Sequence, residues 1–296
     1  MHEIIYATTL ASVYLMFALG LSITWGTIDV LNFAHGSIFM FSAFSVYLML
    51  EHFDTGMGLL VMVLVGAGVG ALLSGAVHLL AFEPLRRRAN ARDREMQMLI
   101  VGVGLSAVPV ALANKITGGN PFGLRNDALK VETLHILGVP ITSVQLIIMV
   151  VAFAMAVAVQ QWLRSSRHGL ALRAIGVDDE TSSMMGVNRS RLALVTMAGA
   201  GVMAGLAGVL VSLSFGAMTP STGDFLILKA FAVIIIGGVG SVTGVVVGAF
   251  VLAGAETLIL TFTGGTWVDA MSFALIFLLL LVRPQGIFGR RAVVKT

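Results

Sequence analysis

The residues RSSRHGLALRAIGVDDETSSMMGVNRSR, from Arg164 to Arg191, form a polar, arginine-rich stretch in a chain that is otherwise strongly apolar. Two long apolar segments flank this stretch, Val144 to Leu163 and Leu192 to Phe215. About 20 apolar residues in a helix cross the hydrocarbon core of a bilayer. Residues 164–191 are therefore predicted to be a hydrophilic loop between two membrane-spanning helices.

The composition of the whole chain agrees with this interpretation. Of its 296 residues 57% are hydrophobic and only 11% charged, whereas soluble domains are about 45–50% apolar. The 34 glycines include many small-xxx-small spacings, such as Gly66 to Gly70, Gly201 to Gly205 and Gly240 to Gly248, which favour closely packed helices in lipid. The chain has no cysteine, which excludes disulfides and thiolate metal sites. Residues 1–296 are predicted to form a single all-α transmembrane domain.

About eight segments have the length and hydropathy of transmembrane helices. They are Ile4 to Trp25, Gly36 to Leu50, Gly58 to Phe82, Met96 to Ala113, Val144 to Leu163, Leu192 to Phe215, Val242 to Phe262 and Val268 to Val282. A ninth segment, Phe225 to Ile236, is too short to span alone and is predicted to be broken or re-entrant.

Most of the 18 lysines and arginines lie in three places, Glu83 to Glu95, Arg164 to Arg191 and the region after Val282. The positive-inside rule puts all three in the cytoplasm. The N-terminus is then outside and the C-terminus inside, provided that the chain runs inward at Phe225 to Ile236 and returns outward through Val242 to Phe262. Such clusters do not form a basic stripe, so a nucleic-acid surface is not expected.

Two interruptions of apolar segments carry polar or flexible residues. The first holds Asp29, Asn32 and His35, and the second reads Gly237-Gly238-Val239-Gly240-Ser241. Irregular backbone at membrane depth is tolerated where it is buried in protein or lines a cavity. The pathway-lining candidates are accordingly Asn32, His35, Gly237, Gly238, Gly240 and Ser241. The alternative for both interruptions is an ordinary turn at the cytoplasmic surface. For Asp29 and His35 two roles remain: a proton relay, or capping and hydrogen bonding within the helix break.

Glu256 lies within the apolar segment Val242 to Phe262 and is added to the pathway candidates, because charges at membrane depth are functional by default. Lys229 is expected to extend towards the membrane surface. The chain contains no Walker A motif, no nucleophile elbow and no metal-ligand cluster. We therefore predict a non-catalytic chain without metal or cofactor. If transport uses ATP, the ATPase is another chain.

Within the opening loop, Asp178, Asp179 and Glu180 predict the start of a short helix, whose positive end acidic residues stabilise. Met184 and Met185 offer adaptable apolar contacts. Docking of this helix into a groove of a partner explains the methionines better than a solvated surface helix does.

Four motifs together resemble the LivH-type permease subunits of branched-chain amino acid ABC importers. The motifs are Gly169-Leu-Ala-Leu-Arg-Ala174 with Asp178, Glu180 and Met185-Gly-Val-Asn188; Asn32-Phe-Ala-His-Gly36; Gly237-Gly-Val-Gly-Ser241 with Gly244 and Gly248; and Leu281-Val-Arg-Pro-Gln-Gly-Ile-Phe-Gly289. The chain departs from the family at Thr181-Ser182-Ser183, where the family often has alanines, and at Asp29, where a neutral or basic residue is expected.

The resemblance implies a multi-pass protein of a bacterial-type cytoplasmic membrane. It also implies a LivM-like sister permease as heterodimer partner, two cytoplasmic ATPase subunits that bind ATP and Mg, and an extracytoplasmic solute-binding protein. The loop would supply the coupling helix. Its contact candidates are Gly169, Arg173, Ala174, Asp178, Asp179, Glu180, Met184, Met185 and Gly186. Urea, short amides and small organic or aromatic acids are alternative substrates within the family. A secondary transporter or channel that uses Glu256 and the interrupted helices is the alternative outside it.

Overall fold

The computed structural model describes residues 2–28, 31–53, 57–88, 94–124, 133–136, 139–175, 179–263, 265, 267–282 and 286–288. The helices in these ranges are α1 (His2–Ile28), α2 (Ala34–Phe53), α3 (Leu59–Val77), α4 (Glu83–Arg88), α5 (Arg94–Thr117), α6 (Ser143–Ser165), α7 (Arg167–Ile175), α8 (Asp179–Met184), α9 (Arg189–Phe215), α10 (Thr222–Gly237), α11 (Val242–Thr263) and α12 (Val268–Val282). A π-helical turn, His78–Phe82, joins α3 to α4.

The described helices confirm an integral membrane protein. Seven of them are long and apolar enough to cross a bilayer: α1, α2, α3 with its extension to Arg86, α5, α6, α9 and α11. The predicted eighth span coincides with α12, of which the structure describes 15 residues. The predicted short segment coincides with α10, which has 16 residues.

Helix α1 forms the centre of the bundle. Every residue from Ala11 to Thr24 is buried, and α6, α9, α10 and α11 all pack against this helix. Its sequence is apolar all round, as expected of a helix without a solvated or lipid-facing side.

Glycines set the closest helix contacts. Gly70 lies against Gly201 and Gly66 against Gly205, so that the backbones of α3 and α9 touch. The Ser74 hydroxyl donates a hydrogen bond of 2.5 Å across the same contact to the Met197 carbonyl. The small-xxx-small spacings therefore act within the chain, as the sequence predicts.

Helices α10 and α11 form a tight antiparallel hairpin. Gly237 faces Gly244, and Gly248 faces the Val233 carbonyl. At its other end α10 begins with Gly223 against Gly36, close to the start of α2. Helix α10 therefore runs from the start of α2 to the end of α1, where Gly240 lies beside Gly26.

A small β-hairpin departs from the all-helical expectation. Strand β1 (Thr133–Ile136) pairs antiparallel with β2 (Val139–Thr142), which leads directly into α6. Nearby, Phe122 bridges to Met218 and packs on the Phe44 ring at 5.1 Å. These contacts fold part of the predicted outer loop onto the ends of α2 and α9.

Candidate functional site

The loop from Arg164 to Arg191 folds into two short helices. Ser166 caps α7, its hydroxyl accepting a 2.9 Å hydrogen bond from the Gly169 amide, and Asn188 caps α9 by accepting one of 3.0 Å from the Arg191 amide. Leu172, Ile175 and Leu192 form a small buried cluster that ties α7 to the start of α9. The described parts of the loop, residues 164–175 and 179–191, therefore form a platform at the ends of α6 and α9.

Helix α8 begins at Asp179, where the acidic residues predict a helix start. Asp178 lies outside the described residues. The helix ends at Met184, and Gly186 follows with a positive φ of 86°, its amide bonded to the Ser183 carbonyl at 3.0 Å. A residue without a side chain suits this turn, because only glycine adopts such a backbone without strain.

Some predicted contact residues point outward, whereas others hold the platform together. Met184 is 81% and Met185 82% exposed, and Ala174 is exposed on α7. Gly169 is buried, with its α-carbon against the carbonyls that end α6. The Arg173 guanidinium donates a 3.2 Å hydrogen bond to the Arg164 carbonyl. Gly169 and Arg173 thus orient α7. Met184 and Met185, at the end of α8, form an exposed apolar surface.

Glu256 lies at the centre of a buried polar cluster, about two turns before α11 ends. The Tyr14 hydroxyl donates to its Oε2 at 2.5 Å, and the Ser272 hydroxyl donates to its Oε1 at 2.6 Å. The Lys229 ammonium lies 3.1 Å from Oε1 and 3.2 Å from Oε2. One carboxylate therefore connects α1, α10, α11 and α12.

Lys229 does not extend to the membrane surface, so that prediction is wrong. Its ammonium turns inward to Glu256 and lies 5.7 Å from the centre of the Tyr14 ring. The Lys229 ammonium thus pairs with a buried carboxylate that would otherwise be an uncompensated charge inside the protein. Tyr14 and Ser272 were not singled out by sequence, because an isolated hydroxyl in an apolar helix carries no signal of its partner.

The first interruption acts as a joint between α1 and α2. Asn32 is buried and its Oδ1 accepts a 3.1 Å hydrogen bond from the Ala34 amide, which caps α2. The buried His35 ring lies over Gly20, with Nε2 3.2 Å from the Phe17 carbonyl. The pathway role of Asn32 and His35 stays a prediction. Asp29, the other half of the suggested proton relay, lies outside the described residues.

The second interruption meets the first. Gly238 and Gly240 have positive φ values of 99° and 75°, and the Gly240 backbone lies beside Gly26 of α1. The Ser241 hydroxyl caps α11 by accepting a 3.1 Å hydrogen bond from the Gly244 amide. Gly240 is exposed, whereas Gly237 and Gly238 are buried.

The C-terminal motif completes this junction. The Ile287 amide donates to the Ile236 carbonyl at 2.8 Å, and the Phe288 amide donates to the Gly237 carbonyl at 3.1 Å. Gly286, with φ of 75°, lies against the Ile235 carbonyl. Two sequence motifs far apart in the chain thus form one structural unit at the end of α10.

A multi-pass helical bundle, an ordered platform between two spans and a buried ionic cluster define a membrane transport protein of the permease class. The comparisons with known proteins make this specific. Residues 3–281 match the family model described as the permease component of the branched-chain amino acid transport system. The chain belongs to this family.

The relatives match over nearly their whole length. The high-affinity branched-chain amino acid transport system permease protein LivH of Escherichia coli (strain K12) is 31% identical, with 100% of this chain and 97% of the relative aligned. The permease protein BraD of Pseudomonas aeruginosa, with the same transport system in its name, is 26% identical over 100% and 97%. The probable LivH protein of Methanocaldococcus jannaschii is 27% identical over 97% and 90%. No solved structure matches the chain.

Proposed function

We propose that this chain is a permease subunit of an ATP-binding cassette importer for branched-chain or other small amino acids. The observation that carries the proposal is the family match over residues 3–281, together with full-length relatives whose names give that transport system. Those names favour amino acids over urea, short amides or organic acids, and an ATP-driven permease over a secondary transporter or channel.

In this proposal the chain lies in a bacterial-type inner membrane with eight spans, its N-terminus outside and its C-terminus in the cytoplasm. Helix α12 serves as the eighth span, and α10 is the short inward limb that brings the chain back to the cytoplasmic side before α11 returns it outward. The arrangement is supported by cations at alternate ends of successive helices, such as Arg86 after α3, Arg164 at the end of α6 and Arg189 at the start of α9. The positive-inside rule assigns all these ends to the cytoplasm.

The partners follow from the same family. A LivM-like sister permease completes the transmembrane pathway, and a solute-binding protein delivers substrate from outside. Two ATPase subunits bind ATP and Mg and dock against α7 and α8. Met184 and Met185 supply the apolar contact, because flexible thioethers adapt to a groove. Gly169 and the cluster around Leu172 keep α7 fixed to α6, so that movement of the ATPases is transmitted into the bundle.

The ATPase contact is tested by copurification. The full set of subunits is coexpressed, and ATPase recovery is measured with wild-type chain and with the double variant Met184→Ser, Met185→Ser. Met96→Ser is the matched control, because Met96 is an equally exposed methionine near the start of α5. We expect the double variant to lose most of the bound ATPase and the control to retain it. Equal recovery from all three proteins would refute docking at α8.

The substrate is tested with the same complex in proteoliposomes. Radiolabelled leucine should accumulate only when ATP and the loaded binding protein are both present. Accumulation of urea or of a small organic acid under these conditions, without leucine uptake, would overturn the amino acid assignment.

A further inference from the structure

The buried cluster around Glu256 has the form of a binding site for an ammonium group. Both oxygens of its carboxylate contact the Lys229 ammonium, at 3.1 and 3.2 Å, and the Tyr14 ring faces that ammonium at 5.7 Å. A carboxylate beside an aromatic face is a combination that binds organic cations. Tyr14 and Ser272 hold the carboxylate in place from the other side through their hydroxyl groups.

Lys229 is the accessible member of the cluster. Its side chain is 23% exposed, whereas the Glu256 side chain is only 3% exposed. A charged group at this depth does not face hydrocarbon, because the cost of burying charge in lipid is several kcal/mol. The exposed part of Lys229 therefore faces a watery path or a partner subunit.

Two exposed apolar residues lie near this lysine on the same helix. Phe225 lies one helical turn before Lys229 on α10, Leu228 is its neighbour, and both side chains are exposed. Ligand sites combine apolar walls with a few charged groups that fix orientation. The cluster and this face together provide one acidic group, one basic group and an apolar surface.

We propose that Glu256, Tyr14 and Lys229 form a transit site for a zwitterionic amino acid with an apolar side chain. In the substrate-free chain the Lys229 ammonium occupies the position of the substrate ammonium. An arriving amino acid replaces it there, and Lys229 turns to the substrate carboxylate. These would be the residues of this chain that bind substrate, and their assignment rests on the proposed importer function.

The exchange keeps the charges of Glu256, Lys229 and the substrate in contact with opposite charges. One protein ion pair opens and two pairs form, from Glu256 to the substrate ammonium and from Lys229 to the substrate carboxylate. Leaving one partner of a buried pair alone is strongly unfavourable, whereas exchanging partners avoids that state. The exchange breaks no covalent bond and moves no proton. The substrate leaves the site when the ion pair between Glu256 and Lys229 forms again. A neutral amide or a simple carboxylic acid satisfies only one of the two groups.

The test uses the complete reconstituted importer and the double variant Glu256→Gln, Lys229→Met, which removes both charges of this ion pair. Thr257→Val is the matched control, because it removes a buried hydroxyl from the next position of α11 without touching the cluster. We expect leucine uptake by the double variant to fall by at least about tenfold, as expected for loss of charge-assisted contacts worth one decade or more. ATPase stimulation by the loaded binding protein should persist in both variants.

A second measurement locates the substrate. A leucine analogue with a diazirine in its side chain is photolysed during turnover, and labelled peptides are identified by mass spectrometry. Labelling around Phe225 to Lys229 in the wild type, lost in the double variant, is expected. Uptake by the double variant within twofold of wild type, or labelling confined to other helices, would overturn the site and leave the proposed function intact. A wild-type complex that takes up no amino acid would overturn both.

Discussion

Replacement of Gly201 by alanine tests how strongly the glycine contacts hold α3 against α9. A β-carbon at position 201 would overlap the Gly70 carbonyl and lie 2.6 Å from the Ser74 β-carbon. Ordinary contacts between such atoms exceed 3.4 Å, so the helices must separate. Separation also strains the hydrogen bond from Ser74 to the Met197 carbonyl, which contributes about 1 kcal/mol.

The expected change follows from two opposing terms. Overpacking of a tight contact costs about 1–3 kcal/mol, and the lost hydrogen bond adds to that. Alanine at a helical position offsets these losses by about 1 kcal/mol through its higher helix propensity. We therefore expect Gly201→Ala to lower the free energy of unfolding by about 1–3 kcal/mol.

The assay is reversible unfolding of the purified chain in mixed micelles, followed by circular dichroism. Gly199→Ala on the same helix and Gly68→Ala on α3 are matched controls, since nothing lies within 4 Å of a β-carbon at either position. Both controls should be neutral or slightly more stable than wild type. If Gly201→Ala has the same free energy of unfolding as the two controls, close backbone contact does not hold α3 against α9.

Three further changes test other parts of the structure. Gly286→Ala places a side chain at a position with positive φ and against the Ile235 carbonyl. The free energy of unfolding should fall by about 1–3 kcal/mol in the same assay. An unchanged unfolding midpoint would contradict the docking of residues 286–288. Asn188→Ala removes the cap of α9 and should cost about 1 kcal/mol, whereas Asn188→Asp should keep most of it; equal losses would argue against capping. Gly169→Val pushes α7 away from the end of α6 and should lower both the amount of ATPase that copurifies and its stimulation, because α7 is part of the docking surface. Wild-type copurification together with wild-type stimulation would argue against a coupling role for α7.

The helical spans could be predicted from sequence because hydropathy and length are properties of single segments. The starts of α2 and α8 and the short α10 follow from local residues such as Asn32, Asp179 and Gly237. The small-residue spacings indicated close packing, but only the structure identifies Gly201 as the neighbour of Gly70. A small-xxx-small spacing can be recognised within one helix, but the helix that packs against it lies elsewhere in the chain.

The ionic cluster shows the limit more clearly. Glu256 was identified as an unexplained charge, yet its partners come from α1, α10 and α12. Finding Lys229 requires the antiparallel register of α10 and α11, which Gly237 and Gly244 set through backbone contact. The β-hairpin was missed for a different reason. Four-residue strands such as Thr133–Ile136 have too few positions for a period of two to stand out.

The contact of Ile287 and Phe288 with the end of α10 has a consequence for biosynthesis. The carbonyls of Ile236 and Gly237 lack helical partners until those two amides arrive, and unpaired carbonyls within a membrane protein are costly. A ribosome makes α10 well before it makes residues 286–288. These two hydrogen bonds therefore form only after α11 and α12 have been made, and a chain truncated after α11 would lack both of them.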